Sequence, residues 1–484
     1  MGEQFGLRES VAIALGGMIG GGIYAVLGVV AGIAMYATWF GFVAAGVVAL
    51  CAGYSYNVLN ALGDQRGGSV SFIQEFVGNS TLAGMVGWSL LFGYIGSMAM
   101  YAFAFAEFTL GFAAVPDSYA GVPLRPVVSV LAVALFVVLN VAGARVTGSA
   151  ENVLVAAKVG ILVAFGVWGL VYLAPVSGQP VRLGFDRLTG ITPIVAAAIS
   201  FVAFQGWQLL FYDQERIEDP TETIRKAVSL SIPTAVVIYV LVAVVTTNLA
   251  PQAIQHHPHV ALADAASAML SYFGLASLGF LVISISALFS TGSAINATLF
   301  SSGHFAKKLV SGNLLPDQLA DAEADGVPDV TILVLGLVTA AFTAWGSLGA
   351  ITSFASLAFI VVFGSVSVLA FRQRDAASIH PVPPAVGAVG AFAFAPVMLW
   401  NLYHRERHTF WMVLVVAVFV VLVELLYFER GELEDHVPDG VEDGVEEAVE
   451  RVGDGVDAVG DGVEDVVDGV GDSTDDRDES DDEP

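Results

Sequence analysis

The chain has 484 residues, of which 56% are hydrophobic and 13% charged, and its mean hydropathy is +0.74. About a quarter of the residues of a soluble domain carry charge, so a water-soluble enzyme is excluded at the first count. The formal charge of −27 is unevenly placed: Glu429–Pro484 holds 24 acidic and 3 basic residues, which leaves the rest of the chain at a net of −6 and without a basic surface for nucleic acid. Cys51 is the single cysteine, which rules out an intramolecular disulfide and a cysteine-cluster metal site.

A helix needs about 20 mostly apolar residues to cross the hydrocarbon core. In chain order, twelve stretches read as spans: residues 10–33, 37–61, 82–113, 126–142, 152–173, 191–211, 229–249, 267–300, 330–346, 350–371, 385–402 and 410–427. Polar connections at 63–80, 213–227 and 303–329 fit between them. Glu3, Arg8 and Glu9 precede the first stretch, and no small-residue cleavage site follows a short apolar core. The reading is therefore a first span and not a removed signal peptide. Gly6 stands where an N-myristoylation signal wants Ser or Thr. With the N-terminus inside, ten Lys and Arg residues from Arg8 to Arg374 face the cytoplasm, and five (Arg125, Arg182, Arg187, Arg405 and Arg407) face out. That excess predicts a multi-pass protein of the cell membrane with both termini cytoplasmic, with the Arg405–Arg407 pair as the counter-indication.

The organisation predicted is a transporter-type domain over 1–428 and an acidic Gly/Val-rich cytoplasmic tail over 429–484. In the tail, valines at 445, 449, 452, 456, 459, 463, 466 and 470 alternate by four and three, the pattern of an amphipathic helix or coiled coil. Six glycines between 444 and 469 and an almost uniformly acidic polar face oppose it, so a largely disordered tail stands as the other reading. The excess of Asp and Glu, with 4 Lys against 15 Arg, suggests halophilic adaptation, because molar salt shortens the Debye length to about 3 Å.

Two spans carry interruptions. Span 1 reads Gly16-Gly17-Met18-Ile19-Gly20-Gly21-Gly22-Ile23-Tyr24, with five glycines in seven residues at mid-membrane. Such a run invites unwinding, and the backbone groups it frees must be buried in protein or face a ligand cavity. The alternative is helix packing, since Gly16/Gly20 and Gly17/Gly21 are small-xxx-small pairs. Span 6 reads Phe201-Val-Ala-Phe-Gln-Gly-Trp-Gln208, with polar Gln205 and Gln208 around Gly206. The two spans correspond if spans 1–5 and 6–10 are repeats offset by roughly 180 residues. Paired interrupted helices at matching repeat positions point to a transporter site at the midplane. Half-helix N-termini suit a carboxylate, and C-terminal ends with freed carbonyls suit an ammonium, which together describe a receptor for a zwitterion such as an amino acid.

Residues 5 to about 430 resemble an amino acid permease of the amino acid–polyamine–organocation superfamily. The run Gly16–Tyr24 resembles the first-span signature, with Gly21 where Ser is common. Gly67-Gly-Ser-Val-Ser-Phe72, Asn140–Gly143, Ala150–Lys158, Phe201–Trp207, Glu218–Ala227 and Ser290–Lys308 with Leu314-Leu-Pro316 resemble further family stretches in order. Departures are Gln208 and Gln214, where acids are frequent, and His304, where Arg is common. The resemblance implies an all-α polytopic fold. Its core would be a five-plus-five inverted repeat (about 8–175 and 189–372) with broken helices 1 and 6, followed by two extra helices at about 384–428. It implies that the substrate carboxylate meets the N–H groups of Gly20, Gly21 and Gly22. The amino group would meet carbonyls near Ile19 and around Phe201, Ala203 and Phe204, beside Gly206. Phe201, Phe204 or Trp207 would act as an aromatic gate, ordinary bundle packing being the other reading of each ring.

Lys158 lies inside span 5, where a charge is expensive unless it is paired, hydrated or neutral. The resemblance places it where sodium-coupled relatives of this fold hold a cation between spans 1, 5 and 8, with Ser290 and Thr291 as neighbours. Proton-coupled or sodium-independent transport follows; snorkelling to the cytoplasmic interface is the alternative. Glu107 and Glu424 read as proton sites or as paired interior acids, and His256, His257 and His259 as a solvated loop cluster or a metal site. No nucleotide loop, metalloprotease helix or nucleophile elbow is present, so no catalytic residue, metal or cofactor is expected. The function expected is secondary active transport of an amino acid or amine through the bilayer. The alternatives are an exchanger of the same fold and a non-transporting sensor acting through the tail, whose partner the sequence does not name.

Overall fold

The computed structural model describes residues 5–64, 67–113, 116, 118–142, 148–173, 178, 180–212, 214–312, 314, 329–375 and 379–423. The acidic tail, Glu424 and most of the 303–329 connection beyond Leu314 lie outside the described residues.

Helix occupies each of the twelve apolar stretches. In chain order the helices are α1 (Leu7–Ala34), α2 (Thr38–Leu62), α3 (Ser69–Val77), α4 (Ser80–Ala113), α5 (Leu124–Val141), α6 (Gly148–Val171), α7 (Thr192–Ser200) and α8 (Pro220–Leu249). They continue with α9 (Pro251–His256), α10 (Ala261–Ser271), α11 (Ala276–Ser311), α12 (Asp329–Trp345), α13 (Leu348–Arg372), α14 (Val382–Arg405) and α15 (Arg407–Val423). The two-residue strands β1 (Ser118–Tyr119) and β2 (Val122–Pro123) pair antiparallel between α4 and α5. Among the described residues, eight helical stretches are long and apolar enough to cross a membrane, one of them Leu7–Leu62, which holds both α1 and α2. Thr192–Phe204, Asp329–Trp345 and Arg407–Leu422 are shorter apolar helices.

Local chemistry sets the ends. Gly78 closes α3 in the left-handed region, and Asn79 then caps α4 by accepting the Leu82 N–H through Oδ1 at 2.7 Å. Ser347 caps α13 by accepting the Ala350 N–H at 3.1 Å. Pro220 starts α8 nine residues ahead of its apolar stretch, and that added turn carries the exposed Glu222–Arg225 and Glu222–Lys226 ion pairs. The stretch expected at 267–300 is divided: α10 ends at Ser271, a turn with Gly274 at φ +71° follows, and α11 begins at Ala276.

The bundle is built around α1 and span 6. α1 packs on α8, α11, α6 and α7; α2 packs on α8 and α7; α4 packs on α11 and α13; α5 packs on α12. Leu131, Leu135 and Val138 of α5, Leu337 of α12, Val389 of α14 and Val415 of α15 stay exposed, an apolar exterior suited to lipid.

One expectation is corrected. α1 is not broken at Gly16–Gly22; it is α-helical without interruption from Leu7 to Ala34. The glycines serve close approach instead. A Cβ on Gly21 would overlap the Tyr101 ring, one on Gly22 would come within 2.9 Å of Ala203 O and Tyr239 Oη, and one on Gly20 would reach 3.0 Å from Ala294 Cβ. Each glycine lets a neighbouring segment rest on the α1 backbone, and the packing gained offsets their poor helix propensity.

Candidate functional site

Span 6 is where the helix gives way. α7 stops at Ser200, Phe201–Phe204 tightens into a 3-10 turn, and Gln205 is extended at φ −78°, ψ 153°. Gly206 then takes φ +126° before a second 3-10 turn over Trp207–Phe211. Glycine alone tolerates such a φ without strain. The missing Cβ also lets two main chains meet: on Gly206 it would stand 2.6 Å from Gly17 C and 2.8 Å from Met18 N. Span 6 therefore crosses α1 backbone to backbone at Gly206 and Gly17.

Backbone groups at the break are bonded by side chains of neighbouring helices, as buried polar groups must be. Ser356 of α13 donates to Ile199 O at 2.9 Å and accepts the Val202 N–H at 3.1 Å. The Tyr239 hydroxyl of α8 donates to Met18 O at 2.6 Å and Ala203 O at 2.9 Å, tying span 6 to α1. Gln208 Oε1 accepts the Gly206 N–H at 2.6 Å, Gln208 Nε2 donates to Gln205 Oε1 at 3.3 Å, and Gln205 Nε2 donates to the Tyr101 hydroxyl of α4.

The residues singled out from the sequence fall into three groups. Ile19, Gly20, Gly21, Gly22, Ala203 and Gly206 converge on the crossing. Phe201 packs on Phe363 and Phe394, and Phe204 on Tyr239. Trp207 packs on Tyr56, Phe211 and Phe363, with its indole nitrogen buried and without a hydrogen-bond partner. These three rings thus stand in contact with α2, α8, α13 and α14. Lys158 forms the third group with its neighbours. It is 5% exposed, and its Nζ donates to Gly16 O at 3.2 Å. A Cβ on Gly20 would lie 3.7 Å from both Lys158 Nζ and Ser290 O, and Ser290 Oγ donates to Ile19 O at 3.3 Å. Lys158 is thus buried beside α1 and α11. Thr291 differs: its hydroxyl donates to Ala287 O, 2.7 Å away within α11.

Tyr101, Tyr239, Ser356 and the Tyr24–Ser286 hydroxyl pair (2.7 Å) complete the polar interior and do not stand out in the sequence. The signal each offers is a hydroxyl in mid-span. Of the loop histidines, His256 and His257 are exposed, whereas His259 turns inward edge-on to Phe103, with ring centroids 5.3 Å apart.

At one end of the bundle Phe5 pairs in an isolated parallel bridge with the segment after span 6. The Phe5 N–H donates to Arg216 O at 2.7 Å and the Glu218 N–H to Phe5 O at 3.0 Å, and the Arg216 guanidinium lies 4.8 Å from the Phe5 ring centre. The start of α1 and the end of span 6 therefore share one end of the bundle.

The fold of the bundle is also that of solved structures. The Eremococcus coleocola manganese transporter, solved with a bis-isothiourea compound, superposes with a TM-score of 0.56 over 87% of this chain and 92% of its own, at 11% identity. In sequence, the inner membrane transport protein YbaT of Escherichia coli is 27% identical over 435 residues, covering 87% of this chain and 96% of its own. The Methanocaldococcus jannaschii protein MJ0609 is 32% identical over 316 residues, 65% of this chain and 70% of its own. The amino acid permease profile matches residues 5–426, and YbaT is by its name a transport protein. The chain belongs to the amino acid permease family, within the amino acid–polyamine–organocation superfamily of multi-pass membrane transporters.

Proposed function

We propose that this chain is a secondary active transporter of amino acids or related amines across the cell membrane. It works by alternating access around the Gly17–Gly206 crossing, and it is proton-coupled or sodium-independent. The observation that carries this reading is Lys158, buried beside α1 with its ammonium on Gly16 O and 3.7 Å from where a Gly20 side chain would begin. A fixed ammonium there supplies the positive charge that a bound metal cation would otherwise bring.

Twelve crossings, both termini cytoplasmic and a five-plus-five inverted repeat belong to the same proposal. Supporting the repeat, four of the five helix pairs it makes equivalent touch: α1 with α7, α2 with α8, α4 with α11 and α5 with α12, the pair α6 and α13 standing apart from this pattern. In the state described here α1 is intact, so the N–H groups of Gly20–Gly22 are engaged in the helix. The five glycines make that segment cheap to open, and on our reading it unwinds when a substrate carboxylate competes for those N–H groups, while carbonyls near Ile19 and of Phe201, Ala203 and Phe204 receive the ammonium.

Uptake of labelled amino acids into proteoliposomes tests the function. Accumulation driven by an inward proton gradient without sodium is the expected result. Strict sodium dependence with no response to protons refutes the coupling, and uptake that requires internal substrate but ignores both gradients identifies an exchanger.

A further inference from the structure

Beside the crossing lies a chain of neutral polar side chains that packing does not require. The Tyr101 ring edge sits in the notch left by Gly21, where any Cβ would overlap it. Its hydroxyl is held by Gln205 Nε2, Gln205 Oε1 accepts from Gln208 Nε2, and Gln208 Oε1 accepts from the Gly206 N–H. Tyr101 is 1% exposed, Gln205 3% and Gln208 0%. Burying two carboxamides and a phenol in an apolar bundle costs desolvation that an aliphatic residue at each position would avoid. Gln205 is the member best placed to change partners. It stands between the two 3-10 turns and bonds through its side chain to both Tyr101 and Gln208, so a swing about its side-chain torsions exchanges both partners at once.

We propose that Gln205, acting with Tyr101, is the specificity element that reads the substrate side chain and selects neutral amino acids over cationic ones. The proposal rests on the reading of the α1/span-6 crossing as the substrate site. A ligand that reaches Gly20–Gly22 must lift the Tyr101 ring from Gly21, which breaks the bond to Gln205 and leaves one amide N–H and one hydroxyl facing the ligand. Those groups satisfy a neutral polar side chain or close again beside an apolar one. They offer no counter-charge, and a lysine- or arginine-like side chain would enter as an uncompensated buried cation.

The test is the change of preference in Gln205→Glu, which keeps the shape of the side chain, reverses the bond to Tyr101 so that the hydroxyl donates to the carboxylate, and adds the missing charge. Wild-type and variant are compared in proteoliposomes for uptake of alanine, leucine, lysine and ornithine, each with its KM. Wild-type is expected to favour the neutral pair, and the variant to raise the cationic-to-neutral ratio of kcat/KM at least about tenfold. A wild-type preference for lysine or ornithine overturns the proposal, as does an unchanged ratio in an active variant; in either case transport itself stands. Absence of any amino acid uptake by wild-type overturns the underlying function instead. Should Gln205→Glu not fold, Tyr101→Phe decides. It removes the closed-state bond but keeps the ring, so KM for the neutral substrates falls about fivefold, the fold-change worth one net hydrogen bond, with kcat less affected. An unchanged KM there overturns the proposal.

Discussion

Lys158 donates to the carbonyl of Gly16, 3.2 Å away, so a charged side chain of α6 is held against the glycine segment of α1 that crosses span 6. Gly16 carries no side chain to shield its carbonyl, and a Cβ there would press within 2.9 Å of Val155 Cγ2, one turn before Lys158 on α6. Small residues on α1 thus both admit α6 and present the oxygen that the ammonium needs.

Removing that ammonium separates coupling from binding. Lys158→Gln retains a donor for Gly16 O and loses the titratable charge. Expected is loss of the response of uptake to an inward proton gradient, with exchange of labelled for unlabelled substrate retained. Lys158→Ala leaves the Gly16 carbonyl without this donor and is expected to cost about 1–3 kcal/mol of stability as well, read as a drop in thermal midpoint in detergent. A pH response that survives Lys158→Gln assigns the proton to another group.

Gly206→Ala should be among the most damaging single-methyl changes in the chain. The φ of +126° is strained for any residue with a Cβ, and the added carbon would stand 2.6 Å from Gly17 C. Strain alone is worth about 1–3 kcal/mol, and the main-chain overlap adds to it because neither backbone can step aside without moving its helix. Thermal unfolding and uptake should both collapse, whereas Gly160→Ala, which meets nothing within 4 Å, should leave both unchanged.

The break at Gly206 is legible in the sequence because it is chemically marked: two carboxamides flank a glycine in an otherwise apolar span, and no continuous lipid-facing helix has use for that. The apolar helices are legible for the same reason, since run length and apolarity are what a bilayer selects. The state of α1 is not. Close packing and unwinding call for the same residue, and which one prevails depends on what rests against each glycine. Here Tyr101 comes from α4, Ala203 from span 6 and Tyr239 from α8, positions as many as 217 residues away along the chain. Tyr101 and Ser356 are obscure for a related reason. A hydroxyl in an apolar span reads the same whether it bonds its own helix, as Thr291 does, or caps a break in another, as Ser356 does.

Tyr239→Phe tests whether the hydroxyl bridge between Met18 O and Ala203 O holds span 6 against the intact α1. The ring keeps its contacts with Phe42 and Phe204, so packing is preserved and one shared donor is lost. A loss of about 1–1.5 kcal/mol is expected without substrate. If the bridge is specific to the arrangement with α1 intact, saturating substrate should recover most of that loss in a thermal-shift measurement, because a bound form with α1 opened no longer depends on it. Equal destabilisation with and without substrate would make the hydroxyl a purely structural tie.

His259 predicts an acid-sensitive contact on the side of the bundle opposite the N-terminus. It sits in the 3-10 turn Pro258–Val260, which rests on α1 because Gly28 leaves room for Pro258 O, and its Nδ1 is buried without a hydrogen-bond partner. Its ring lies edge-on to Phe103 of α4, and the Arg125 guanidinium of α5 lies 4.1 Å from the centre of the same ring. Burial first, and the Arg125 charge second, push the imidazole down to about 4 from its ordinary 6.5. Glu107 of α4 is the acid that interacts with Arg125, and Asp264 of α10, which is held above the usual carboxylate range by burial, interacts with His257. A histidine depressed in the docked state binds fewer protons there than when released. Docking is therefore unaffected above about pH 6.5, weakens as pH falls from 6.5 to 4, and loses nothing more below 4. A nitroxide label at His256→Cys in a Cys51→Ser background reads this as mobility. The turn should loosen between pH 6.5 and 4, and His259→Gln, which cannot titrate, should flatten the response. Loosening that persists unchanged in His259→Gln would move the acid sensitivity to Asp264.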